Sequence, residues 1–233
     1  MKFFLLLASR LGMLAVLLLS GVQASASVVI GSTRVIYASD AKEVSVRITN
    51  GGQSPVLLQS WIDEGNREAK PADLNVPFVL TPPINRVEAN KGQTLRISRL
   101  GSSLPMDRES VFWLNVLEIP AKATQLAGEN QLQMAFRTRI KLFYRPVGLV
   151  GHANDAAKAL QWQRQGQKLA AVNPTPYYVN LVSLTMNGKV VDGDMVEPYG
   201  SRLFNAPGRQ GHQLSVSFVD DYGAINQFET IIK

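Results

Sequence analysis

The stretch QLQMAFRTRIKLFYRP, residues Gln131–Pro146, alternates regularly between apolar and polar side chains. Because successive side chains of a β-strand point to opposite faces of a sheet, this alternation predicts one long strand. One face would carry Leu132, Met134, Phe136, Thr138, Ile140 and Leu142. The other face would carry Gln131, Gln133, Ala135, Arg137, Arg139 and Lys141. The predicted strand is much longer than the usual strand of about 5–6 residues.

A long strand with large apolar side chains is hazardous at the edge of a sheet. Its unpaired N–H and C=O groups attract other chains, and its side chains favour aggregation. The segment is therefore either covered by neighbouring strands or made to pair with a partner, and the function depends on which of the two holds.

The N-terminus predicts a secretory signal of residues 1–26. Lys2 and Arg10 supply positive charge, an apolar run follows at Leu11–Leu19, and small residues follow at 24–26. We expect cleavage after Ala26, with Ala24 as the second choice. The apolar run is shorter than the about 20 residues that a membrane-spanning helix needs, so we expect no membrane insertion of the mature protein.

The amino-acid composition argues against several classes of function. The chain of 233 residues has 24 basic and 18 acidic residues, and removal of the predicted signal leaves 22 basic residues and a net charge of +4. The basic residues are scattered without interleaved aromatic residues, so we expect no nucleic-acid partner. The chain has no cysteine, which excludes disulfides and thiol chemistry. His152 and His212 have no metal-ligand spacing, and we expect neither a metal nor a cofactor.

Short β-type runs bounded by turn residues dominate the rest of the chain. The predicted strands before Pro146 are Val28–Tyr37, Glu43–Asn50, Pro55–Asp63, Phe78–Thr81, Thr94–Ser98 and Val111–Ile119, and Val111–Ile119 is apolar enough to lie inside a sheet. Those after it are Ala159–Gln165, Lys168–Asn173, Tyr177–Met186, Lys189–Val191, Gln213–Asp220 and Ile225–Ile232, with hairpin turns at Gly166 and Asn187-Gly188. About seven strands on each side predict an all-β fold of two sandwiches in tandem. The expected domains are residues 27–147 and 148–233.

Several segments together carry a family resemblance. They are TRVIY at 33–37, TPPINRVE at 81–88, LPMDRESVFWLNVLEIP at 104–120, IKLFYRP at 140–146, NPTPYYV at 173–179 and DDYGA at 220–224. In this order and spacing the chain resembles the periplasmic pilus chaperones of the chaperone–usher pathway, the PapD-like family. The short loop at Ala121–Asn130 is similar to that of the short-loop subfamily, which builds rod-like pili.

The resemblance implies two immunoglobulin-like domains in a boomerang shape, and a function without ATP. Members of the family capture fimbrial subunits whose sandwich lacks its last strand, lend them an edge strand, and pass them to an outer-membrane usher. On this basis Leu132, Met134, Phe136 and Thr138 would fill the groove of the subunit. An exposed apolar edge also predicts a self-capping homodimer when no subunit is bound.

The resemblance also assigns two sets of charged residues. Arg34 and Lys141 match the pair that holds the C-terminal carboxylate of the subunit in the cleft between the domains. Glu109, Arg145 and Asp221 match an ionic triad that joins the two domains.

Two other classes of function are weighed against this one. A fimbrial subunit or secreted adhesin would use a similar sandwich, but a subunit carries a free N-terminal extension, whereas here the long strand lies in mid-chain. A secreted hydrolase would need a nucleophile and a base. Asp220 and Asp221 are adjacent carboxylates, but neighbouring side chains on a strand point in opposite directions, which favours a structural turn.

Overall fold

The computed structural model describes residues 27–101, 103–121, 133–206 and 208–233. Short apolar alternations between turn residues form nine strands in the first part of this described chain. They are β1 (Val28–Ile30), β2 (Arg34–Ala38), β3 (Glu43–Asn50), β4 (Val56–Asp63), β5 (Phe78–Thr81), β6 (Ile84–Val87), β7 (Gly92–Arg99), β8 (Ser110–Pro120) and β9 (Phe136–Arg145). They form a four-stranded sheet in the order β1-β3-β7-β5 and a five-stranded sheet in the order β2-β9-β8-β4-β6. All pairs are antiparallel except β2 with β9.

Eight strands form the second part. They are β10 (Gln161–Gln165), β11 (Lys168–Val172), β12 (Val179–Met186), β13 (Lys189–Asp192), β14 (Met195–Val196), β15 (Ser201–Phe204), β16 (Gln213–Val219) and β17 (Ile225–Ile231). One sheet has the order β10-β11-β15, and the other has the order β13-β12-β16-β17 with β14 also beside β12. Single 3₁₀ turns lie at Pro71–Asp73 and Ala153–Asp155.

Each part has its own apolar core. The first is built around Tyr37, Leu58 and Leu142, and the second around Trp162 and Leu214, all with at most 1% of their surface exposed. Two separate cores of this kind are what two sandwiches packed from their own inward-facing side chains produce. The prediction of an all-β, two-sandwich fold is confirmed.

The predicted strand Val28–Tyr37 is wrong as a single element. The chain forms β1 against β3, turns at residues 31–33, and then forms β2 against β9 in the opposite sheet. The N–H of Gly31 donates to the carbonyl of Arg47 at 2.9 Å, and a Cβ at this position would lie 3.3 Å from that oxygen. The glycine lets the backbone approach closely where the chain leaves the first sheet.

The predicted long strand is wrong at its N-terminal end. In the structure β9 begins at Phe136, opposite Glu118 of β8, and Met134 precedes it. Continuing the register would place Met134 opposite Pro120, the last residue of β8, which has no N–H to donate. Gln131 and Leu132 lie outside the described residues.

The central position of β8, between β4 and β9, is confirmed. The hairpins around Gly166 and Asn187-Gly188 are also confirmed; the φ values of 61°, 49° and 74° are those that such tight turns require. The short strands β6, β14 and β15 were not predicted. Counting them, and splitting Val28–Tyr37, raises the number of strands from about seven on each side to nine and eight within the described ranges.

Candidate functional site

The two halves of β9 have different neighbours. Residues 141–145, which we call the covered half, pair with β2 on one side, and all but the last also pair with β8 on the other. Residues 136–140, which we call the free half, pair with β8 alone among the described residues. The backbone groups on the other side of the free half are open to an added strand.

The apolar row of β9 passes from solvent into the core. Met134 is 56% exposed and Phe136 is 58% exposed, and Thr138 is exposed as well. Ile140 is half-buried, and Leu142 is fully buried. Phe136 and Met134 therefore offer large apolar surface next to the unpaired backbone of the free half. Leu132, the fourth predicted member of the donor row, lies outside the described residues.

Arg34 and Lys141 lie side by side. They are direct partners in the parallel pair of β2 and β9, at the point where the free half ends. Arg34 Nη1 donates to the carbonyl of Val219 at 3.2 Å, and Lys141 Nζ donates to Asn180 Oδ1 at 2.5 Å. Both contacts reach the second domain, so the two cations face the cleft between the domains.

Burial shifts the pKa values of both cations in this pair. Burial lowers the pKa of Arg34, although Asp221 and Asp220 partly offset this, and the buried Arg34 Nε has no hydrogen-bond partner among the described side chains and backbone. Burial also lowers the pKa of Lys141, and the neighbouring Arg34 lowers it further. A carboxylate placed between the two cations would relieve their repulsion and accept charge-assisted hydrogen bonds.

Arg145 connects Glu109 and Asp221. Its Nε donates to Glu109 Oε1 at 2.6 Å, and its two terminal nitrogens donate to the carboxylate of Asp221 at 2.7 and 2.8 Å. Glu109 is 3% exposed, and its Oε2 accepts from the N–H of Tyr178 at 2.7 Å. The structure therefore brings the three residues of the predicted triad together across the domain boundary.

In this triad, burial and ion pairing shift the pKa values of Glu109 and Arg145 in opposite directions. Burial raises the pKa of Glu109, and the positive charge of Arg145 works against that rise. Burial alone would lower the pKa of Arg145, but the hydrogen bonds that it donates to Asp221 and the charge of Glu109 raise it above its ordinary value. Removing the arginine would leave a buried carboxylate without its counter-charge, which is costly.

Several contacts at the domain boundary were not predicted. Asn180 Oδ1 accepts a hydrogen bond from the ammonium of Lys141, and the ring centres of Phe143 and Tyr178 lie 5.8 Å apart. Gly223, with φ of 85°, sits so close that a Cβ there would overlap Thr33. The signal for Tyr178 and Gly223 was present in the family motifs, but Asn180 lies outside them and has no pattern of its own.

The predicted turn at Asp220-Asp221 is confirmed. Asp220 Oδ1 accepts from the backbone N–H groups of Tyr222 and Ala224, whereas Asp221 extends to Arg145. The two carboxylates thus do different structural work. Across the described residues no group of histidine, aspartate or glutamate could hold a metal ion. No helix within the described ranges has the length and apolar character needed to cross a membrane.

Comparison with known proteins gives consistent matches for both domains. Residues 27–150 match the family described as "Pili and flagellar-assembly chaperone, PapD N-terminal domain", and residues 155–230 match "Pili assembly chaperone PapD, C-terminal domain". Chaperone protein FimB/FhaD of Bordetella pertussis is 46% identical over 218 residues, covering 90% of this chain and 89% of that protein. Probable fimbrial chaperone YadV of Escherichia coli is 46% identical over 214 residues, with coverages of 87% and 86%.

Solved structures agree with these matches. The crystal structure of the YadV chaperone superposes with a TM-score of 0.76 at 40% identity, covering 89% of this chain and 100% of that one. A chain from the complex of the Salmonella enterica SafA pilin with the SafB chaperone gives a TM-score of 0.78 at 32% identity, with coverages of 88% and 96%. Since the two family matches cover nearly all of the described chain, the protein belongs to the PapD-like family of pilus-assembly chaperones.

Proposed function

We propose that this pilus-assembly chaperone completes unfinished fimbrial subunits by lending them the free half of β9. The observation that supports this most is the combination of an unpaired backbone edge with the exposed side chains of Met134 and Phe136. An added strand would satisfy the backbone groups, and the apolar row would enter the groove of the subunit. Thr138 and Leu132 complete the proposed donor row.

The energetics call for a second anchor. Burying a large apolar side chain contributes about 1.5–3 kcal/mol, so three such side chains contribute on the order of 5–9 kcal/mol. Association costs about 4–15 kcal/mol in lost freedom. The donor row alone is therefore marginal, and a charged contact of fixed geometry would make the complex stable.

Arg34 and Lys141 are the proposed second anchor, and their ligand is the C-terminal carboxylate of the subunit. Two desolvated cations with one unsatisfied donor, Arg34 Nε, support this role. The anchor would also set the register. A slip of one residue would turn Met134 and Phe136 away from the groove.

Glu109, Arg145 and Asp221 are proposed to fix the angle between the domains, so that the donor row and the carboxylate anchor address one subunit together. The forked guanidinium suits this task, because its donors lie in one rigid plane.

We propose domain limits of residues 27–147 and 148–233.

Chaperones of this family act in the periplasm and are not enzymes, so the hydrolase alternative is not favoured. A fimbrial subunit or adhesin is not favoured either, since both halves of the chain match chaperone domains. We further propose that a signal cleaved after Ala26 directs export, that an outer-membrane usher receives the subunit, and that the free protein caps its edge by forming a homodimer.

Co-expression with fimbrial subunits encoded by neighbouring genes tests the anchor. We expect Arg34→Ala and Lys141→Ala to abolish recovery of the subunit from periplasmic extracts while leaving the fold intact by circular dichroism. Arg96→Ala is the matched control, because Arg96 is exposed on β7 and its contact with Glu43 is loose at 4.0 Å. Recovery at the wild-type level with both anchor variants would reject the roles of Arg34 and Lys141.

A further inference from the structure

On the polar face of the free half, Arg139 forms an ion pair with Asp63 of another strand. Arg139 donates from Nε to Asp63 Oδ2 at 3.2 Å, and a second hydrogen bond joins its terminal nitrogen to Asp63 Oδ1. Asp63 is the last residue of β4, and β8 lies between the two strands. The arginine therefore bridges over an entire strand to reach its partner.

Asp63 is held in place for this contact. It is 1% exposed, and besides Arg139 it accepts from the N–H of Gly65 at 2.6 Å and from Asn115 Nδ2 at 2.7 Å. These donors come from the loop after β4 and from β8. A carboxylate with so many fixed donors has one position available, which makes it a rigid acceptor for the guanidinium.

The guanidinium is confined as well. It lies 4.7 Å from the centre of the Trp113 ring, and a Cβ on Gly65 would lie 3.2 Å from an edge carbon of the same ring. Only 13% of the Arg139 side chain is exposed. Trp113, Arg139 and Asp63 thus form a packed unit, and the pairing of a forked cation with a carboxylate on an aromatic face fixes direction as well as distance.

The free half needs such support. With hydrogen bonds to one neighbour only, a strand opens locally more easily than one with two neighbours. A donor strand that is disordered before binding must be ordered on binding, and this weakens the complex, whereas a strand held in its bound conformation avoids that loss. The apolar row must stay exposed, so any support has to act from the polar face.

We propose that Asp63, acting through Arg139, is a positioning residue that keeps the free half of β9 extended and in register before a subunit arrives. The proposal rests on the proposed function of strand donation. The competing interpretation is that the pair only stabilises the first sandwich. The two interpretations predict different consequences when the ion pair is lost. If the pair positions the strand, only residues 136–140 should open more easily; if it supports the sandwich in general, the whole domain should.

Hydrogen exchange on the unliganded full-length chain separates them. In Arg139→Gln we expect the amides of residues 136–140 that bond to β8 to exchange about tenfold faster or more, as loss of a charged hydrogen bond predicts. The amides of residues 141–145 should change little. Arg139→Lys, which keeps the charge but loses the fork, should give an intermediate increase, and Arg96→Gln should give none.

Equal acceleration in both halves of β9, or no acceleration in either, would overturn the proposal. If Arg139→Gln does not fold, Arg139→Lys alone decides by the same comparison of the two halves. This readout needs no subunit, so it is independent of whether strand donation occurs.

Association with a purified fimbrial subunit encoded beside the gene gives the functional readout. We expect Arg139→Gln to bind about tenfold more weakly. Unchanged affinity in a variant with an accelerated free half would reject the functional part of the proposal. Failure of the wild-type chain to bind would instead reject strand donation itself.

Discussion

The free and covered halves of β9 share one alternating sequence but have opposite surroundings. Phe136 and Leu142 lie on the same face of the strand, yet the first is 58% exposed and the second is fully buried. Leu142 packs in the first core with side chains of both sheets, and residues 141–145 also pair with β2, which stops there. One strand can therefore belong to the core at one end and leave its backbone edge without a described partner at the other.

The largest effect should follow from a change in the covered half. Leu142→Ala should lower the free energy of unfolding by about 2–5 kcal/mol, because it opens a cavity in the first core. Urea denaturation followed by tryptophan fluorescence measures this. A loss below about 1 kcal/mol would show that the covered half is not part of the core in the way its burial indicates.

The matched change in the free half should leave the fold alone. Phe136→Ala should change the free energy of unfolding by no more than about 0.5 kcal/mol, as is usual for an exposed side chain. It should weaken subunit binding by about tenfold or more, because an aromatic anchor is lost from the groove. Calorimetric titration with the purified subunit measures the affinity.

Val190→Ala is the control for this substitution. Val190 is an apolar residue on β13 of the second domain and is 66% exposed, so its loss should affect neither stability nor binding. Equal weakening by both substitutions would mean that Phe136 has no special place in the contact.

The smallest expected effect is the pH dependence of stability that arises from the ion pair of Asp63 and Arg139 behind the free half. Burial alone would raise the pKa of Asp63, but hydrogen bonds from Arg139 and Asn115 lower it below its ordinary value. Asp63 therefore binds a proton less readily in the folded state, and its stabilising contribution is present above the unfolded pKa of about 3.9. It is lost as the pH falls through the lower pKa of the folded state.

Asp63→Asn should thus be less stable than the wild type at neutral pH, and the gap should narrow below about pH 4. Chemical denaturation of both proteins from about pH 7 to about pH 3 measures the gap, and contributions from other carboxylates cancel in the comparison. A gap that stays constant over this range would contradict the pairing of Asp63 with Arg139.

Local sequence patterns predicted much of the fold. The alternation in residues 131–146 predicted which side chains of β9 share a face, and the turn residues at Gly166 and Asn187-Gly188 predicted two hairpins that the structure contains. These features are determined by residues that lie close together in the sequence, so they can be predicted from it. The same reasoning failed for the start of β9, because alternation in one segment does not show how far its pairing with β8 extends.

Contacts between distant segments could not be predicted from pattern. Arg34, Lys141 and the triad were assigned only through the family motifs, and their roles remain predictions. Asp63 and Arg139 lie 76 residues apart and outside any quoted motif except the strand itself. Their pairing follows from the strand order β9-β8-β4, which no local signal encodes.

Amide exchange across β9, measured with and without a bound fimbrial subunit, tests the central claim most directly. Strand donation predicts that the amides of residues 136–140 on the side away from β8 gain strong protection on binding, while residues 141–145 are protected in both states. Unaltered exchange in residues 136–140, together with new protection on another surface, would contradict the account.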